Sequence, residues 1–213
     1  MHFSPHGPTS VKDSSRDWAT AENWIDGTLP DEQDLPRIDR VESAPVISNA
    51  VKTGIIRVGQ FAKGHLNIAP GAKVEAERLL LGAELAEGSA RMRGGSVAVH
   101  DLAVGYQSSG RLDLEDGNLS CDFLYVPRTA PHTGMLELRG GTLQAQDLSF
   151  GNDNSYERGK IRISGGGKLL IRQSKWDAKK TEDKIAGGNI AGNNLVVGTE
   201  TVDGVVYTSV VAK

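Results

Sequence analysis

Residues 78–123 read RLLLGAELAEGSARMRGGSVAVHD followed by LAVGYQSSGRLDLEDGNLSCDF. Both lines open on an aliphatic run that ends in glycine, at Gly82 and Gly105. Both reach a second glycine (Gly88, Gly110) and a third (Gly95, Gly117), and both close on an acidic turn into the next line. Three further lines align outward from this pair: 55–77, 124–147 and 148–172. The first marker then falls at Gly59, Gly82, Gly105, Pro127 and Gly151, and the second at Gly64, Gly88, Gly110, Gly134 and Gly159. The third falls at Gly71, Gly95, Gly117, Gly141 and Gly166, so all three recur every 22–25 residues. A repeat of that length marks a solenoid in which each unit buries its core against the next. Glycine suits the corners because it reaches positive φ without steric cost.

Between the markers the apolar period is two, which is that of a strand and not of a helix. Inward pairs stack like on like: Leu66/Ile68, Ala90/Met92, Leu112/Leu114, Leu136/Leu138 and Ile161/Ile163 in the second strand of each coil. The first and third strands give equivalent aliphatic columns, with Cys121 inside one of them. The fold predicted is all-β: a right-handed parallel β-helix of about six to seven coils, three short strands per coil, capped at both ends. Residues 1–10 read as a disordered start, 11–50 as an N-terminal cap, 51–172 as coils, 173–193 as a polar insertion and 194–213 as closing strands. Trp18 and Trp24 are large enough to plug one end; stacking on sugar is their other reading. Trp176 rides on the insertion, and Leu195–Gly198 repeats the first-strand pattern.

Composition excludes several function classes. The chain has 213 residues, 26 glycines and only 5% aromatic residues, which suits narrow coils better than a bulky sandwich core. Net charge is −3, with no argument for nucleic acid. One cysteine excludes an internal disulfide. No apolar run is long enough for membrane insertion, and no signal peptide is visible at the start.

Outward positions carry the remaining information. Second-strand ladders run Asn67, Arg91, Asp113, Glu137, Arg162 and Ala69, Arg93, Glu115, Arg139, Ser164, with largely alternating sign. They read as a self-neutralising face or as a face for a charged polymer, and Arg93–Glu115–Arg139 is the expected ion-pair chain. First-strand outward residues are Arg57, Leu80, Ala103, Tyr125 and Ser149. Contiguous apolar positions of this kind are expected to be covered, by a terminal segment of the chain or by a partner.

The segment DSSRDWATAENWIDGTLPDEQD (13–34) and coils of the form L-x-V-G…G-x-L-x-L-x-G-G-x-L resemble bacterial exported β-helix proteins with autotransporter-associated β-strand repeats, of the pectate-lyase-like solenoid kind. The ending NNLVVGTETVDGVVYTSVVAK is similar to their closing strands. The resemblance implies export, an extracellular or cell-surface location, and a passenger, adhesin or accessory module whose partners are polysaccharide or other domains of a larger surface protein. Its relatives include polysaccharide lyases and hydrolases.

No nucleophile-elbow, zinc-protease, paired-cysteine or phosphate-loop motif occurs, and the five histidines have no metal spacing. The loops after the first strand lengthen along the chain, and stacking would bring Tyr106, Arg128, His132, Asn152, Asp153, Asn154 and Tyr156 to one ridge. That ridge, with Trp176, is the expected glycan contact of a non-catalytic module needing no cofactor. The alternative is a small lyase on uronate polysaccharide, with His132 or Tyr156 as base and Arg128 or Ca²⁺ as carboxylate neutraliser. Self-assembly through uncapped coils is a third reading.

Overall fold

The structure is a computed structural model that describes residues 16–24, 27–39, 44–129, 131–151 and 158–213. Its strands are β1 (Arg37–Ile38), β2 (Val46–Ile47), β3 (Ala50–Val58), β4 (Gly64–Ile68), β5 (Lys73–Leu81), β6 (Gly88–Val104) and β7 (Gly110–Tyr125). There follow β8 (Gly134–Leu138), β9 (Thr142–Ser149), β10 (Gly159–Ile163), β11 (Lys168–Arg172), helix α1 (Ala178–Ala186), β12 (Ile190–Gly192), β13 (Leu195–Val202) and β14 (Val205–Ala212). The chain winds as a parallel β-solenoid. Gly64, Gly88, Gly110, Gly134 and Gly159 lie in one register across β4, β6, β7, β8 and β10. On the third side Val74, Val97, Leu119, Leu143 and Leu169 lie in another.

The aliphatic columns fill the interior. Leu66, Ile68, Met92, Leu112, Leu114, Leu136, Leu138 and Ile161 are each at most 1% exposed. They share one cluster with the first- and third-strand columns. Each fully buried aliphatic side chain contributes roughly 1.5–3 kcal/mol of transfer free energy, so the columns supply most of the driving force. Cys121 lies among them, and burial pushes its thiol well above the ordinary range.

The marker glycines serve two different ends. At Gly82 φ is +69°, and a Cβ there would come within 2.5 Å of the Ser108 carbonyl oxygen, so both backbone twist and contact exclude a side chain. The second set does not turn the chain. Gly88 has no positive φ; it lacks a Cβ because one would collide with the Val58 carbonyl of the coil beneath. Where proline replaces glycine, the Val126–Pro127 peptide is cis.

Three features differ from the sequence reading. Five complete coils form, with partial rungs of β1, β2 and the start of β3 before them and β12 after, in place of six to seven. One corner has no loop: β5, β6 and β7 run from the third side onto the next first side as single bent strands. Leu195–Gly198 does not start another coil. It lies in β13, antiparallel to β14, which is itself antiparallel to β11. The turn between β13 and β14 explains this, because Asp203 (φ 49°) and Gly204 (φ 78°) both take the left-handed conformation of a two-residue hairpin.

Both ends are sealed. Trp18 and Trp24 are 3% and 5% exposed and meet edge to face at 4.6 Å. The Trp24 indole N–H donates to the Trp18 carbonyl at 2.9 Å, and the Trp18 amide donates to Val46. The second plug is Trp176, 2% exposed, with its N–H donating to the Leu148 carbonyl at 3.0 Å. Helix α1 follows, N-capped by the Asp177 carboxylate accepting from the Lys180 amide.

Candidate functional site

The first-strand loops bring together only part of the expected ridge. Tyr106 and Arg128 meet: the guanidinium sits 4.8 Å over the Tyr106 ring and 5.3 Å over Tyr125. The Arg128 amide donates to the Gly105 carbonyl and the Thr129 hydroxyl to the Tyr106 carbonyl, so each loop is laddered onto the one before. Beneath lie Leu80, Ala83 and Ala103, a small buried cluster flanked by Ile55, Tyr106 and Tyr125. The outer first-strand face is thus covered, among the described residues, by side chains of its own strands and loops and not by a terminal segment. His132 is half-buried near the end of the Arg128 loop. Asn152, Asp153, Asn154 and Tyr156 lie outside the described residues. Trp176 is an interior plug, so its ring faces no ligand. Arg128, the neutraliser of the lyase reading, is held on two tyrosine rings.

A groove that the loops do not mark lies on the third side. It encloses about 590 Å³ and follows the bend where the third strand of one coil becomes the first of the next. Two columns line it. Lys52, Glu75, Ala98, Ser120 and Gln144 are in register. Beside them stand Glu77, His100, Asp122 and Gln146. The Lys52 ammonium is paired with Glu32 at 3.0 Å, which raises its pKa. His100 Nδ1 and Asp122 Oδ2 are 2.7 Å apart. Gln144 and Gln146 both donate to the Tyr207 hydroxyl, at 2.8 and 2.9 Å, and the Gln146 carbonyl oxygen accepts from Arg172 at 3.4 Å, which fixes the amides. Four carboxylates (Glu32, Glu75, Glu77, Asp122) against one lysine make the groove acidic.

An aromatic strip joins the groove to the loops. His100 meets Phe123 edge to face at 5.4 Å, Phe123 stacks on Tyr125 at 6.4 Å, and Tyr125 carries Arg128 and thence Tyr106. Phe123 is 39% exposed. Burial is the largest influence on the Tyr125 phenol and raises its pKa. The sequence signal for this site was a column of polar outward residues on the third strand, one step from the aliphatic column, with Phe123 at its edge.

Among the described residues no three His, Cys, Asp or Glu side chains converge as metal ligands, and no helix is long and apolar enough to cross a membrane. Comparison of the chain with protein-family models, with curated proteins and with solved structures gives no match.

Proposed function

We propose that the chain is a non-catalytic β-solenoid module of an exported bacterial surface protein that binds glycan along the third-side groove. The observation that carries this reading is the pairing of an exposed aromatic strip with a fixed row of hydrogen-bonding groups. Phe123 offers a ring face for the apolar side of a sugar, beside Tyr125, whose ring already carries Arg128. His100, Asp122 and the Gln144 side chain offer partners for its hydroxyls. A solenoid repeats these partners at about 4.8 Å per coil, a spacing that suits an extended chain better than a compact ligand. The carboxylates of the groove repel a polyuronate, so a neutral glycan fits the site and the lyase reading gains no support there.

A glycan array followed by affinity electrophoresis tests the proposal. Neutral polysaccharide is expected to retard the protein, and Phe123→Ala to weaken binding about five- to tenfold, the worth of one aromatic contact. Failure of every neutral glycan to retard the wild-type protein overturns it.

A further inference from the structure

The second-strand side carries a different chemistry. Arg91, Arg93, Arg111, Arg139 and Arg162 pair with three carboxylates, Asp113, Glu115 and Glu137. The two signs occupy two depths. The arginine side chains are 39–59% exposed, whereas the carboxylate side chains are 11–26% exposed. Each acid serves more than one guanidinium. Glu115 accepts from Arg91 (Nε at 2.7 Å) and lies 3.9 Å from both Arg93 and Arg139. Asp113 takes a two-point fork from Arg111 at 2.7 and 3.0 Å and lies 3.6 Å from Arg139. Glu137 lies 3.4 Å from Arg162 and 3.8 Å from Arg111.

The less exposed acids therefore act as an inner row that orients an outer row of guanidinium groups. With Asp116, in register opposite Arg93, counted as well, five cations over four anions still leave the face positive in a chain whose net charge is −3. Attached at one edge by its inner acid, a guanidinium still has N–H groups directed to solvent, and its planar fork matches an oxoanion. The rows repeat along the solenoid axis, so the face suits a linear polymer with anionic groups at regular intervals. Stacking platforms are lacking: His65 is the only ring at the outward second-strand positions, which disfavours single-stranded nucleic acid.

We propose that this arginine face is a second binding surface, for an anionic polysaccharide bearing sulfate or carboxylate groups. It is independent of the acidic groove.

Affinity electrophoresis in gels containing dextran sulfate, polygalacturonate or neutral dextran tests it on the full chain. At low salt the wild-type protein is expected to be retarded by at least one anionic polymer more strongly than by neutral dextran, whose binding belongs to the groove. Retardation by dextran sulfate alone assigns sulfate, and by polygalacturonate alone assigns carboxylate. For Arg93→Gln/Arg162→Gln, two exposed side chains on the rim of the network, the logarithmic dependence of affinity on salt is expected to flatten by about two. Arg172→Gln, off this face, is expected to leave it unchanged. The proposal is overturned if neither anionic polymer retards the wild-type protein, if Arg172→Gln loses as much as the double variant, or if a single-stranded oligonucleotide competes more strongly than either glycan.

Discussion

His65 shows how much a single residue of a ladder can carry. Its Nδ1 lies 2.8 Å from the Ser89 hydroxyl of the next coil and its Nε2 lies 3.3 Å from the Asn67 amide oxygen. Burial is the main reason its pKa falls below the ordinary value, with Arg91 and Arg93 adding to the fall and Asn67 and Asp113 opposing it. In the unfolded chain the imidazole takes up its proton near pH 6.5. Above that pH neither state is charged and His65 adds no pH dependence. As pH falls through 6.5 the unfolded state binds the proton first, so the native state loses stability until the lower folded pKa is passed. Urea unfolding at pH 7 and pH 5 is expected to show a larger loss of midpoint for the wild-type protein than for His65→Gln. Identical losses would remove His65 as the cause. At this scale the sequence was informative about columns and silent about reasons. The positions of Gly64, Gly88, Gly110, Gly134 and Gly159 were legible. That they avoid a collision with the coil beneath, and do not supply a turn, depends on a neighbour about 30 residues away, as Val58 is from Gly88.

Among the elements, the terminal plugs have the clearest energetic role. A solenoid end exposes core and unpaired strand edges unless something large closes it. Trp24 closes one end with both a ring contact and a hydrogen bond to Trp18. Trp24→Ala is expected to cost about 3–5 kcal/mol in chemical unfolding, the range for deleting a buried aromatic side chain. A loss below 1 kcal/mol would mean that the ring does not seal the core. Trp18 and Trp24 were legible as plugs because little else in a chain so poor in aromatic residues has their volume, whereas Trp176, read as a ligand contact on the insertion, is buried. The loopless corner was not legible, because no glycine or proline marks it, and so attention fell on the longer first-strand loops instead of the groove. The closing strands misled for a related reason. Leu195-Val196-Val197-Gly198 copies the coil pattern, and only the hairpin at Asp203-Gly204 decides that the strand runs antiparallel. The arginine ladders were visible, but Arg111 was omitted from them. It bridges Asp113 and Glu137, two like charges that are neighbours on the ladder.

Across the whole molecule each coil contacts mainly its two neighbours, so protection against opening depends on distance from the ends. Amide hydrogen exchange is expected to be slowest in the second and third strands of the coil formed by residues 101–121, and faster in β1, β2, β13 and β14. Uniform protection along the axis would show that the caps bind the array into a single cooperative block. The charge map is also a property of the whole: acids line the third side and guanidinium groups crown the second, although the net charge is small. That separation was hidden in the composition, because it arises from the wrapping of the chain and not from any run of like charges.

The antiparallel hairpin also constrains how this molecule could change in length. With β14 reversed against β11, the rung where another coil would stack no longer has its strand pointing the right way. A longer relative would have to gain whole coils inside the array, by duplicating a unit of about 23 residues between the two plugs, so that both seals and both charged faces are preserved and each face grows by one step.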